Sequence, residues 1–152
     1  MKRFSIWKLL KLPPQLVYAL GLGPIYGRMV MLLTTIGRVS GKERVTPLQY
    51  EEIDGAIYVG SARGVKADWY CNILANPHVT VRIKGRQFAG LAEPTTDPKP
   101  IADFLEIRLQ RHPRVIGMLL RREGLAKKPS RCELEDFAVN KAMVIIRPSQ
   151  PD

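Results

Sequence analysis

The sequence predicts an α+β protein, mainly β: an antiparallel barrel, closed or split, with helices packed outside it. Three observations lead there. Segments of strand length and strand pattern follow one another through the middle of the chain. Asp54-Gly55, set between two of them, is the strongest hairpin signal in the sequence. Short helical stretches lie at both ends, with one more inserted among the strands. The 152 residues fit one domain. Its expected parts are a helical N-terminal segment over 1–28, a barrel core over 29–95, helices over 96–124 and a closing strand over 140–148.

The N-terminal segment, MKRFSIWKLLKLPPQLVYALGLGP, starts basic and continues apolar. Pro13-Pro14 ends its first run, and Leu16 to Leu22 is too short to span a bilayer. It offers neither the unbroken apolar stretch nor the clear cleavage site of a signal peptide. Phe4, Ile6, Trp7, Leu9 and Leu10 against Lys8 and Lys11 give a basic amphipathic piece. Two readings stay open: a helix covering the domain's own core, or a segment lying on an anionic membrane surface.

The barrel begins with MVMLLTT, Met29 to Thr35, whose continuous apolarity predicts a strand buried on both faces. Gly37 and Ser40-Gly41 punctuate a turn. Arg44 to Ile53 reads as one strand, in which Pro47 removes a ladder donor and implies a bulge or local edge. After the Asp54-Gly55 turn comes strand Ala56 to Ser61. Trp69 with Ile73 and Tyr70 with Leu74 are spaced i,i+4, which predicts a two-turn helix over Ala67 to Ala75 that Asn76-Pro77 stops. His78 to Ile83 alternates as a strand, Lys84-Gly85-Arg86 turns, and Gln87 to Glu93 returns. Asp97-Pro98 opens a helix with the apolar stripe Ile101, Leu105 and Leu109. His112-Pro113 breaks it, Val115 to Arg122 continues as a second piece, and Lys141 to Arg147 closes the sheet.

Composition narrows the function classes. The 24 Lys and Arg against 14 Asp and Glu leave a net charge of +10, which favours anionic partners. A nucleic-acid recognition motif is missing, and aromatic residues are only 7%, so no specific nucleic-acid partner is expected. Cys71 and Cys132 stand far apart without a CxxC or a Cys/His cluster, so neither zinc nor a disulfide-stapled fold is expected. A reducing cytoplasm is the default compartment, with peripheral attachment to the inner membrane face as the extension the N-terminal segment allows. There is no GxSxG, P-loop or HExxH, and neither His78 nor His112 has a Ser or Cys partner in view. Both histidines read as structural or surface residues. An enzyme of this kind would draw its reactivity from a bound cofactor.

Two segments stand out. In TTIGRVSGKERVTPLQY, Arg38, Lys42 and Arg44 surround Ser40-Gly41, and turn amides near two glycines could form an anion nest. A solvated hairpin tip is the alternative. In SARGVKADWYCN a strand ends in a loop with Arg63 and Lys66 before a helix whose N-terminus attracts anions. Asp68 could cap that helix instead, and Trp69 and Tyr70 read as core. Lying side by side, the two loops would make a groove for an extended anion.

LLTTIGRVSGKERVTPLQY and VGSARGVKADWYCNILANPHVTVRI resemble the deazaflavin-dependent nitroreductases, also called deazaflavin-dependent quinone reductases. The likeness runs from about Leu32 to Glu93, with weaker agreement in KAMVIIRP. It is carried by TT-x-G-x-x-SG-x-x-R, Pro47-Leu48, Ser61 and W-Y-x-N-x-x-A-N-P. The resemblance implies a split β-barrel of the flavin-reductase and pyridoxamine-phosphate-oxidase type, and the deazaflavin coenzyme F-420 with its anionic phospholactyl-polyglutamate tail.

By position, Ser40, Gly41 and Arg44 match the tail-binding turn, and Thr46, Pro47 and Leu48 match backbone lying along the cofactor. Gly60, Ser61 and Ala62 match the loop near the ring, and Trp69, Tyr70 and Asn72 match the helix that closes the site. Val39 and Ala62 stand where relatives carry lysine, with Arg38, Lys42 and Arg63 adjacent, so the charge is displaced by one residue. FMN or FAD is the alternative cofactor.

The implied activity is hydride transfer from reduced F-420 to a small acceptor: a quinone, nitroaromatic or enone. Arg38, Lys42, Arg44, Arg63 and Lys66 would clamp the tail. Ser61 near the ring and Tyr70 as proton donor are the catalytic candidates, with solvent as the other proton source. A homodimer is compatible with this reading. The alternative function is a non-catalytic binder of flavin, haem or lipid on the same barrel.

Overall fold

The computed structural model describes residues 30–126 and 128–149. The expectations for the N-terminal segment, and for Met29 as a strand residue, lie outside these. Seven strands form one antiparallel sheet in the order β2-β1-β5-β6-β7-β4-β3. They are β1 (Val30–Ile36), β2 (Glu43–Gln49), β3 (Glu51–Ile53), β4 (Ala56–Ser61), β5 (His78–Ile83), β6 (Arg86–Thr95) and β7 (Ala142–Pro148). Among the described residues four α-helices accompany them: α1 (Asp68–Ala75), α2 (Pro98–Arg111), α3 (Pro113–Arg122) and α4 (Arg131–Ala138). The sheet curls until β2 approaches β4, which makes the split barrel.

The barrel interior collects the inward residues of every long strand. Met31, Leu33, Val59, Val81, Val144 and Ile146 are fully buried there. Helix α1 plugs one end with Trp69, Tyr70 and Ile73, three of the four i,i+4 residues that predicted it, while the fourth, Leu74, is exposed. On the outer face α2 and α4 cover β4 and β7 through Ile101, Phe104, Ala138 and Met143. A third cluster, Ala102, Ile116, Leu120 and Leu134, joins α2, α3 and α4.

Turn chemistry explains the hairpins. Asp54 and Gly55 both take positive φ (51° and 79°), as do Lys84 and Gly85 (49° and 80°), the geometry of two-residue hairpin turns. Asp97 caps α2 by accepting from the Lys99 amide at 3.1 Å. Asn76, extended before Pro77, stops α1.

Three expectations change. The strand expected over Arg44 to Ile53 is split at Tyr50, because β2 pairs with β1 while β3 pairs with β4. The chain turns a barrel corner there, with Tyr50 tucked inside. Pro47 is tolerated because β2 is an edge strand. In β1 full burial alternates with half-burial, since its outer side is only partly covered. Helix α4 escapes an apolar-periodicity argument, as only Leu134 and Ala138 are buried in it. Its signal is polar: Ser130 accepts from the Glu133 amide at 3.2 Å, half of an S-x-x-E capping box.

Candidate functional site

Antiparallel pairing fixes which loops meet. Passing from β1 through β5, β6 and β7 to β4 reverses direction four times. The C-terminal ends of β1 and β4 therefore point the same way. The turn 37–42 and the loop 62–67 lie at one rim of the barrel, as a shared site requires. They are also joined. Arg38 reaches from the turn to α1, donating to Asn72 Oδ1 at 2.9 Å and pairing with Asp68 at 3.2 Å. Its backbone amide donates to the same Asn72 oxygen at 3.1 Å, and Asn72 Nδ2 donates to Thr35 at 3.2 Å. Asn72 is buried and ties the turn to the plug helix.

This corrects two expectations. Asp68 does not cap α1; Ala67 occupies the cap position, and the Asp68 carboxylate serves Arg38. The expected nest is also narrowed, because several turn amides are spent within the turn. Gly37 N donates to Lys42 O, Gly41 N to Gly37 O, and Lys42 N to Ser40 Oγ. With these amides engaged, the turn's attraction for anions rests chiefly on its side chains. Gly37 suits the close packing there, since a Cβ would stand 2.7 Å from Ser40 Oγ and 3.3 Å from Lys42 O, so the Ser40 hydroxyl would have to turn away.

Lys42 and Arg44 are the side chains that remain. Both are exposed, and neither has a carboxylate partner among the described residues. Arg44 leans on Ser40 Oγ at 3.4 Å. It pairs with Thr35 across the ladder, as Thr46 pairs with Leu33 and Leu48 with Met31. Directly opposed residues share a face, so Arg44, Thr46 and Leu48 leave β2 on the barrel's inner side, with Arg44 at the rim. Pro47 faces the other way. All of Val45 to Gln49 is half-buried, so β2 keeps accessible surface along its length.

The second loop is shaped by Ser61. Its hydroxyl is buried and donates to Gly64 O at 2.7 Å. Gly60 faces α2, where a Cβ would contact Phe104 at 3.6 Å, and Ala62 is exposed. Arg63 and Lys66, expected on the same anion as Arg44, line a separate cleft with Lys141. Trp69 and Tyr70 meet edge to face, their ring centroids 6.1 Å apart. Burial holds the Tyr70 phenol above its ordinary pKa, and Cys71 adds to the shift.

One charged cluster has no counterpart in the sequence reading. Glu51, at the start of β3, is buried against Arg111 at 3.1 Å, His112 at 2.9 Å and Arg108 at 3.8 Å. Desolvation lowers the Arg108 pKa, and Glu51 opposes the shift. The i, i+3, i+4 spacing of Arg108, Arg111 and His112 on one helix face was its available signal. The cluster braces β3 against α2. Among the described residues, no group of three His, Cys, Asp or Glu side chains comes together as metal ligands. Among the same residues, no helix is long and apolar enough to cross a membrane.

Residues 19–115, more than half of the chain, match the model of the F-420H(2)-dependent quinone reductase family. The chain belongs to that family. It is accordingly an F-420-dependent oxidoreductase. Solved structures agree on the fold. An F-420H2-dependent reductase is 21% identical, covering 78% of this chain and 94% of its own at a TM-score of 0.52. HutZ, the heme storage protein from Vibrio cholerae, is 14% identical over 92% of each chain at 0.55. A chain that forms a domain-swapped dimer is 18% identical, covering 93% of this chain and 99% of its own at 0.52. At such identities these three speak for the split barrel alone. The donor set at the rim also suits the cofactor: exposed Lys42 and Arg44, with no carboxylate partner among the described residues, beside an accessible edge strand fit an anionic tail.

Proposed function

We propose that the protein passes a hydride from reduced F-420 to a quinone, a nitroaromatic compound or an activated enone, and that the turn 37–44 holds the cofactor's acidic tail. The observation that carries this is the pair Lys42 and Arg44, two rim cations without acidic partners among the described residues. Bound there, the reduced deazaflavin supplies the hydride; the chain supplies position and charge. Lys42 and Arg44 contact the tail, while Ser40 and Gly41 hold the turn in shape. Arg38 acts through Asp68 and Asn72 as a positioning residue. The backbone of Thr46, Pro47 and Leu48 runs along the cofactor's path. Gly60, Ser61 and Ala62 bound the ring, with Trp69, Tyr70 and Asn72 closing the site from α1.

The acceptor's proton comes from solvent in this reading. The Ser61 hydrogen is engaged by Gly64 O, and Tyr70 is 2% exposed with its phenol held protonated. The reaction is tested by mixing reduced F-420 with menadione and following the return of oxidised F-420 absorbance. Turnover dependent on the protein supports the proposal. Turnover with reduced FMN in place of F-420, and none with F-420, rejects it. We further propose a cytoplasmic enzyme, consistent with two free thiols, and a homodimer, which sedimentation would reveal.

A further inference from the structure

The loop after β4 and the turn before β7 enclose a cleft of about 500 Å³ at the same end of the sheet as the turn 37–42. Its cations are Arg63, Lys66 and Lys141, and among the described residues no Asp or Glu lines it. The Lys141 ammonium sits 4.6 Å from the centroid of the Phe137 ring rather than on a carboxylate. A face-on ring attracts a cation without using up its hydrogen-bond donors. Val65 and Val139, each about half exposed, supply an apolar wall.

The cleft is built and held. Gly64 takes φ +59°, and a Cβ on it would lie 3.2 Å from Asn140 O, so the two loops pack closely there. Ser61 pins the first loop through Gly64 O. Asn140, at φ +70°, turns the second, and Lys141 N donates to Ala138 O at 3.0 Å. No residue of the turn 37–44 lines this cleft.

We infer that the cleft is a second anion-binding site, separate from the turn 37–44, which takes a carboxylate or phosphate carried on an apolar body. Three cations with no carboxylate partner among the described residues recognise the acidic group, and the two valines recognise the body. Arg63 and Lys66 serve this site rather than the rim turn. Two sources offer such chemistry: the far end of the F-420 tail, and an acidic group on the hydride acceptor.

The test uses the full-length ¹⁵N-labelled protein with 1-naphthyl phosphate, and with 1-naphthol as the uncharged control. The phosphate should shift the amides of Gly64, Val65, Asn140 and Lys141, and 1-naphthol should not. Lys141→Met and Arg63→Met should each weaken binding about tenfold, the loss of one charge-assisted contact. Lys141→Arg should retain it, and Arg44→Ala should leave it unchanged. Shifts confined to residues 37–42, equal binding of 1-naphthol, or undiminished affinity in a folded Lys141→Met protein would overturn the inference. F-420 titration of Lys141→Met then assigns the source. Weakened F-420 binding identifies the tail, and unchanged F-420 binding identifies an acidic acceptor; both require the site.

Discussion

Asn72 offers the sharpest test of how the rim is assembled. Replacing it with alanine removes three hydrogen bonds: from the Arg38 amide (3.1 Å), from the Arg38 guanidinium (2.9 Å) and to Thr35 (3.2 Å). Two neutral bonds at about 0.5–1.5 kcal/mol each and one charged bond at about 1.5–3 kcal/mol set the scale. The Arg38 side chain is 38% exposed and recovers water, which pulls the sum toward its lower end. Thr35 is fully buried and does not recover it. The expected loss is about 2–4 kcal/mol, read from urea unfolding at constant slope. Asn72→Asp keeps an acceptor for both Arg38 donors and lets the Thr35 hydroxyl donate, so it should cost less than alanine. Amide exchange in the turn 37–42 should speed up in the alanine variant alone. A loss below about 1 kcal/mol with the turn undisturbed, or an aspartate as damaging as alanine, would show that Asn72 does not hold the rim together.

Two further outcomes follow from the buried groups. Glu51→Ala strands the Arg108 guanidinium inside the fold and should cost about 3–5 kcal/mol in urea unfolding, as loss of one partner of a buried ion pair does; a cost under about 1 kcal/mol would deny the brace. Burial raises the Tyr50 and Tyr70 pKa values above their ordinary value near 10, with acidic neighbours Glu52 and Glu51 adding at Tyr50 and Cys71 at Tyr70. The unfolded chain therefore releases these protons first, so stability holds up to about pH 10 and falls above it. A Tyr50→Phe, Tyr70→Phe protein should lose stability less steeply there, and an unchanged alkaline slope would contradict the assignment.

Much of the fold was legible because it is written in local chemistry. Asp54-Gly55, Asn76-Pro77 and Asp97-Pro98 each act within a few residues of themselves. The i,i+4 aromatic stripe of α1 is likewise local, and so is the alternation of β5. What a linear reading misses is what depends on distant partners. Tyr50 looks like any strand residue until β2 and β3 choose different neighbours. Asp68 looks like a cap until Arg38, thirty positions earlier, claims its carboxylate. The same holds at the site. Three cations near one Ser-Gly pair looked equivalent, yet Arg38 is tied to α1, whereas Lys42 and Arg44 have no acidic partner among the described residues. Arg63 and Lys66 share their sign with that turn but open into another cleft, set by residues that follow β6 and precede β7.

The central claim, that the rim turn grips the cofactor through its side-chain charges, meets its most direct test in a fluorescence titration with F-420. Arg44→Ala should raise the dissociation constant about tenfold or more, since a charge-assisted contact contributes ~1.5–3 kcal/mol. Added salt should weaken the unaltered protein more than the variant. Equal affinity of the two proteins for F-420 would contradict the account.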